Sequence, residues 1–255
     1  MVDNNGRTAQ ILQALEEADT ALRRVLTDPQ FDPQLQQQVK ATDRAFESAA
    51  DVARYERDGG QEIPRGLVHA QQESHRHMDR IASNLGQLGR DLAGSTLAGL
   101  QASTAKLRTA LGGVQDESLR KQVEHVKLIV EGAEKNVQGV ADQVEGARRV
   151  ASGFDRNLPA LRSGQIATTV RSTSDGIRDR LLDANRGMAE ARTAVADNLK
   201  YVDAARQAAP GLIEKAELAK SMQAATNPTP QTRRTVVDQA RPQVTRPGTD
   251  VGVQR

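Results

Sequence analysis

The side chains with the most capacity for chemistry lie in the stretch HAQQESHRH, where His69, Glu73 and His77 recur at every fourth position. On a helix that spacing brings all three to one stripe, where two imidazoles and a carboxylate can hold a divalent metal and the carboxylate can act as ligand or base. The apolar frame of the same segment puts His69 at its outermost position. No Asp/His motif elsewhere has the spacing that completes a carboxylate-bridged centre. The cluster therefore reads as a solvated surface, and neither a metal nor any other cofactor is assigned to it.

Other chemistries find less to work with. RSTSDG (171 to 176) offers a serine and an aspartate, but a serine nucleophile needs a strained turn and a distant histidine, and neither is indicated. No Gly-x-Gly-x-x-Gly follows a strand and no Gly-x-x-x-x-Gly-Lys-Ser/Thr occurs, so nucleotide-binding folds have no support. Cysteine is absent, which removes disulfides, thiolate metal sites and thiol nucleophiles together. The expectation is a protein that is not an enzyme, with no catalytic residue and no small-molecule substrate.

The elements that would have to position such groups are helices. Aromatic residues make up 2% of the 255 and there is no Trp, so a thick core built on large rings is not available. Charged residues are 27% and nearly balanced in sign, which suits long helices that expose much surface per residue. The basic balance is local: residues 227 to 255 carry five Arg against two Asp, whereas residues 1 to 226 sum to −1.

Residues 7 to 27 carry Ile11, Leu12, Leu15, Ala18, Leu22, Val25 and Leu26 at helical spacing and stop at Asp28-Pro29. Asp32-Pro33 supplies a cap and a first-turn proline for a second helix with Leu35, Val39, Thr42, Phe46, Ala49 and Ala53 as its seam. A third runs from about Arg65 to Ala110. Its seam shifts phase through Leu92, Thr96 and Leu100, a stutter expected to leave the helix straight.

The fourth helix, Glu117 to Phe154 with Asp116 as cap, keeps eleven consecutive heptad positions from Leu119 to Phe154. The fifth opens on a stretch rich in Ser and Thr, with a brief period of two at Ile166, Thr168 and Val170. It is firm from Ile177 to Val202. Pro210-Gly211 then sets off a short last helix with Leu212, Ala216, Ala219 and Met222.

Inside the fourth helix, Gly132, Gly139, Gly146 and Gly153 recur at every seventh position. With Val123, Val130, Val137 and Val144 at heptad position a, all four glycines fall at c, outside the seam. Each costs about 1 kcal/mol relative to Ala in a helix interior. Either the face drifts neutrally between Ala and Gly, or its low profile receives another helix, from this chain or another copy. These four residues are the candidate interaction face.

The fold class expected is all-α, an elongated antiparallel bundle of long helices with coiled-coil-like heptad seams. Its parts are an N-terminal helical hairpin (1–60), a long-helix bundle or coiled coil continuous with it (61–226), and a disordered basic Pro/Thr/Arg tail (227–255). The function that follows is a helical scaffold, assembly or adaptor protein acting through helix-to-helix contacts, with a protein partner or self-association. A secreted helical effector or membrane-acting protein is the alternative. Third comes a nucleic-acid-associated protein using the tail, whose arginines lack aromatic stacking partners. No window is apolar enough to span a membrane and no leader of the usual kind opens the chain. The location expected is cytoplasmic, or exported without a cleaved signal peptide. The excess of Arg over Lys points to a GC-rich, bacterial source.

Overall fold

A computed structural model of the chain describes residues 4–28, 31–58, 65–157 and 165–226. The tail from 227 lies outside the described residues. Six α-helices account for almost all of the rest: α1 (Asn4–Thr27), α2 (Phe31–Asp58), α3 (Arg65–Asp91), α4 (Ala98–Leu111), α5 (Glu117–Asn157) and α6 (Ile166–Thr226), with a π-helical segment at Leu92–Leu97. Among the described residues there is no strand, and no helix is long and apolar enough to cross a membrane. Contacts divide the chain into two units, Met1–Ala216 and Glu217–Arg255. The first is a four-rod helical bundle. Of the second, the last turns of α6 are described, with Leu218 and Met222 exposed at 62% and 63%.

The order of the rods follows from which residues meet. Asn84 donates to Gln38, Thr96 to Asp28, and Ser103 to the Glu17 carbonyl, so numbers rise along α3 and α4 as they fall along α2 and α1. The next pair runs the same way: Arg148 lies over Gly86, Val144 over Gly89, and Glu134 bonds Thr104. Then Val150 faces Gly176, Val140 faces Gly187, and the His125 ring meets Tyr201 edge to face at 5.2 Å. The ring closes where the Ile166 N–H donates to Glu56, Arg178 pairs with Asp43, and Arg206 pairs with Asp19. Every rod is antiparallel to both neighbours, the up-down-up-down arrangement that short turns impose.

The N-terminal hairpin expected for residues 1–60 does not form. α1 packs on α4 and α5, and α2 packs on α3, so the two helices follow one another along one side of the bundle as a single interrupted rod. Asp28 rather than Asp32 takes the capping role: its carboxylate accepts the Phe31 N–H at 3.2 Å, three residues on. Asp32 is left for Arg192 on α6, which reaches it at 2.6 Å.

All eleven expected seam positions of α5 are buried, from Leu119 to Phe154, and the Asp116 carboxylate caps the helix by accepting the Leu119 N–H at 2.8 Å. In α2 Leu35, Thr42 and Ala49 are buried as expected, and the alternate seam positions are displaced by one residue. Gln38, Ala45 and Val52 are buried where Val39, Phe46 and Ala53 were expected, and Phe46 is turned outward under Arg171 at 5.7 Å. The expected stutter takes the form of the π segment, whose wider turn keeps Leu92, Thr96 and Leu100 on the core side while the phase is reset. α6 is helical from Ile166, and continuous through Pro210. That proline is exposed, so the carbonyl it leaves without a donor stands on a face that water can reach.

Candidate functional site

The glycine register of α5 is divided by its surroundings. A Cβ built on Gly132, Gly139 or Gly153 would meet nothing within 4 Å, and Gly132 and Gly139 are exposed. At Gly146 it would stand 2.7 Å from Nη1 of Arg180, whose side chain crosses from α6. The face named in the sequence is therefore open at three sites and covered by the chain itself at one. Leu128 stands one turn before Gly132 and is 57% exposed, so an apolar knob precedes two shallow hollows along the outside of the helix. The glycines that do admit a neighbour are opposite: a Cβ built on Gly187 of α6 would stand 3.2 Å from Val140, and one on Gly176 would stand 3.5 Å from Val150. There the missing side chains let α6 approach the α5 valines.

Charges organise the flanks of the same helix. Arg148 holds both oxygens of Glu145, at 2.6 and 2.7 Å, and Arg149 donates to one of them at 3.1 Å. Hydrogen bonding from Arg148, with Arg149 behind it, lowers the Glu145 carboxyl to about 2, and the same contact raises Arg148. On the α1 side, Lys106 donates to Glu17 at 2.6 Å and lowers that carboxyl in turn.

The histidine stripe is not drawn together. His69 is exposed, and Glu73 is engaged by Arg76 at 2.7 Å. Among the described residues no three His, Cys, Asp or Glu side chains are arranged to hold a metal ion.

In the middle of the bundle, where the sequence marked no candidate residue, side chains of α6 bond to distant segments of the chain. Arg192 donates through Nε to the Val25 carbonyl at 3.2 Å and through Nη1 to Asp32 at 2.6 Å, so one side chain ties the end of α1 to the start of α2. A helix end leaves carbonyls unpaired and an acidic first turn complements the helix dipole, and Arg192 answers both. About four turns along α6, Arg206 reaches the buried Asp19 at 2.7 Å, and Arg23 holds the other oxygen of that carboxylate at 2.8 Å. Arg192 and Asp32 are 160 residues apart, and nothing periodic marks either.

Comparison of the chain with protein-family models, with curated proteins and with solved structures finds no match.

Proposed function

We propose that the protein is a non-enzymatic helical scaffold, assembly or adaptor protein that works through helix-to-helix contacts, with the outer flank of α5 as its docking face. The observation that carries this reading is the sequence of an exposed Leu128 followed by Gly132 and Gly139, both with open space where a side chain would stand. A partner helix can bring its backbone close over the two hollows and cover the leucine. The exposed Leu218 and Met222, one turn apart near the end of α6, offer a second apolar ridge of the same kind.

Native mass by light scattering tests it, with Ala placed at Gly132, Gly139 and Gly153. Full-length protein is expected above its 27.6 kDa monomer mass. The triple variant should be the more stable fold, by about 1 kcal/mol per site, yet return toward the monomer because its hollows are filled. A wild-type monomer at every concentration overturns self-association. An alanine variant that assembles as the wild type does removes the glycine flank from the contact.

A further inference from the structure

α5 and α6 run antiparallel in a fixed register, with Gly146 beside Arg180, Val140 beside Gly187 and His125 beside Tyr201. That register sets Lys135 level with Glu190 and Leu128 level with Asp197. With the buried Val123 and Val130 at heptad position a of α5, and the buried Ile177, Ala184 and Ala191 at a of α6, all four take the outermost position f. The outer ridge of α5 over this span is Lys121, Leu128 and Lys135. That of α6 is Asp183, Glu190 and Asp197. Two neighbouring helices thus present a basic ridge and an acidic one.

The ends of these ridges are tied within their own helices, Lys121 to Glu117 at 3.5 Å and Asp183 to Arg186 at 3.7 Å. Lys135, Glu190 and Asp197 are exposed and make no ion pair among the described residues. Two large apolar side chains stand at the same place: Leu128 is 57% exposed and Tyr201, within about one turn of it along the bundle, is 46% exposed. Between the ridges, Gly132 and the exposed Ala194 give the groove a shallow floor.

We propose that this face is filled by a second copy of the chain, related by a two-fold axis that runs along the groove between α5 and α6. The proposal rests on the docking role of the α5 flank and names its partner. Such an axis lays α5 of each copy on α6 of the other at the same height, so Lys135 of each copy meets Glu190 of the other. Helical side chains lean toward the N-terminus of their own helix. Because α5 and α6 are antiparallel, Leu128 leans toward the level of Tyr201 and Tyr201 toward that of Leu128. Across the axis the two exposed groups therefore cover each other. Gly132 and Ala194 lie near the axis, where their low profile lets the two floors approach. The other two-fold arrangement, with its axis across the helices, sets α5 on α5 and α6 on α6, basic ridge on basic and acidic on acidic, and charge disfavours it. Asp142 and Asp183 also come level, two turns beyond Lys135, and these like charges limit the contact on that side.

Sedimentation velocity of the full-length protein over a concentration series tests the arrangement. The wild type should move from 27.6 kDa toward twice that mass as concentration rises. Lys135→Glu and Glu190→Lys each place like charges at both contacts and should weaken the dimer about tenfold or more. Mixing these two variants should restore association, because every contact across the axis again joins opposite charges. A chain carrying both changes should pair with itself and not with the wild type. Leu128→Arg should leave a monomer. A wild-type dimer that is lost with Leu128→Arg but indifferent to the charge changes, or not rescued by mixing, overturns this axis and keeps the α5 flank as a docking face. A dimer that survives Leu128→Arg overturns both. A wild type that is monomeric at every concentration overturns the second copy as occupant and leaves the flank to a different protein.

Discussion

On the α1 side of the waist, the level of the break between α1 and α2, the buried polar residues Asp19, Ser103 and Thr104 all have partners, whereas on the α2 side Ser74 and Ser174 are buried with hydroxyls that meet none. The α1 half has Leu15, Leu22, Leu100, Leu107, Val123, Val126 and Val130 at its centre. The α2 half mixes Leu35, Ile81 and Leu85 with Gln38, Thr42, Ala45 and Ala49. Half-buried Gln122, with an unpartnered carbonyl oxygen, is the one blemish of this kind among the described residues of the first half. A buried hydroxyl without an acceptor loses its water and gains nothing. The same four-rod architecture thus has a half whose buried polar side chains are bonded and a looser one in which two buried hydroxyls are not. Native-state hydrogen exchange should show the amides of α2 and the first turns of α3 opening at lower free energy than those of α1 and α4.

The largest effect comes from attacking the stronger half. Leu22 is fully buried, and Leu22→Ala removes its packing and leaves a cavity, at a cost of about 3 kcal/mol. Hydrogen exchange on that variant should invert the order, with α1 and α4 now opening first. An unchanged order would mean that the contrast in core composition does not set local stability.

Next is the link between the halves. Arg192→Leu keeps the stem but loses the bonds to the Val25 carbonyl and Asp32, for about 2 kcal/mol, since the side chain is only 23% exposed and both acceptors lose a charged donor. Urea unfolding followed by one probe in α1 and one in α2 should give coincident curves in the wild type and separated curves in the variant. Arg192→Lys should recover only part of the loss, because an ammonium cannot span both acceptors with a fixed fork.

The contrast between seam and waist also explains what was legible in the sequence. The eleven buried positions of α5 and the Asp116 cap were readable because they depend on residues within a turn or two of one another. The seam of α6 from Ile177 to Val202 was readable for the same reason. Pairing of rods was not. Whether α2 folds back on α1 or continues past it is decided by partners such as Arg192 and Asp32, 160 residues apart. Phe46 looked like core by its spacing, yet Ala45 takes the buried position and the ring lies outside beside Arg171. The phase shift at Thr96 was visible, but not that a π turn would absorb it beside the break in the neighbouring rod. The glycine period was visible too, while the feature that separates Gly146 from the others, the Arg180 side chain, comes from α6.

A smaller, opposite effect is expected in the looser half. Ser74→Ala and Ser174→Ala each remove a buried hydroxyl that has no partner and raise helix propensity, so each should stabilise by about 1 kcal/mol. Thermal melts of the two single variants and the double variant check this. Exchange protection in α2 should rise toward that of α1. Destabilisation by either change would mean that its hydroxyl is bonded in solution and that the halves are more alike than their packing indicates.

The smallest effect separates the two halves by acid. Glu17 bridges α1 to α4 through Lys106, while Glu145 is held within α5 by Arg148 and Arg149. Both carboxyls are lowered from an ordinary 4.5, so the folded state binds their protons less readily than the unfolded chain does. Stability from such groups is fully present above 4.5 and is lost as pH falls through the folded value, which for Glu145 means between 4.5 and about 2. Because the Glu145 side chain is 38% exposed, solvent and salt screen the pair, and its contribution is under about 1 kcal/mol. Glu145→Gln should flatten the acid limb of a plot of stability against pH only slightly, and less at high salt. Glu17→Gln should flatten it while also loosening α1 from α4, seen as faster exchange in those two helices alone. If the two variants affect exchange alike, the bridge between rods is no more structural than the pair within one helix.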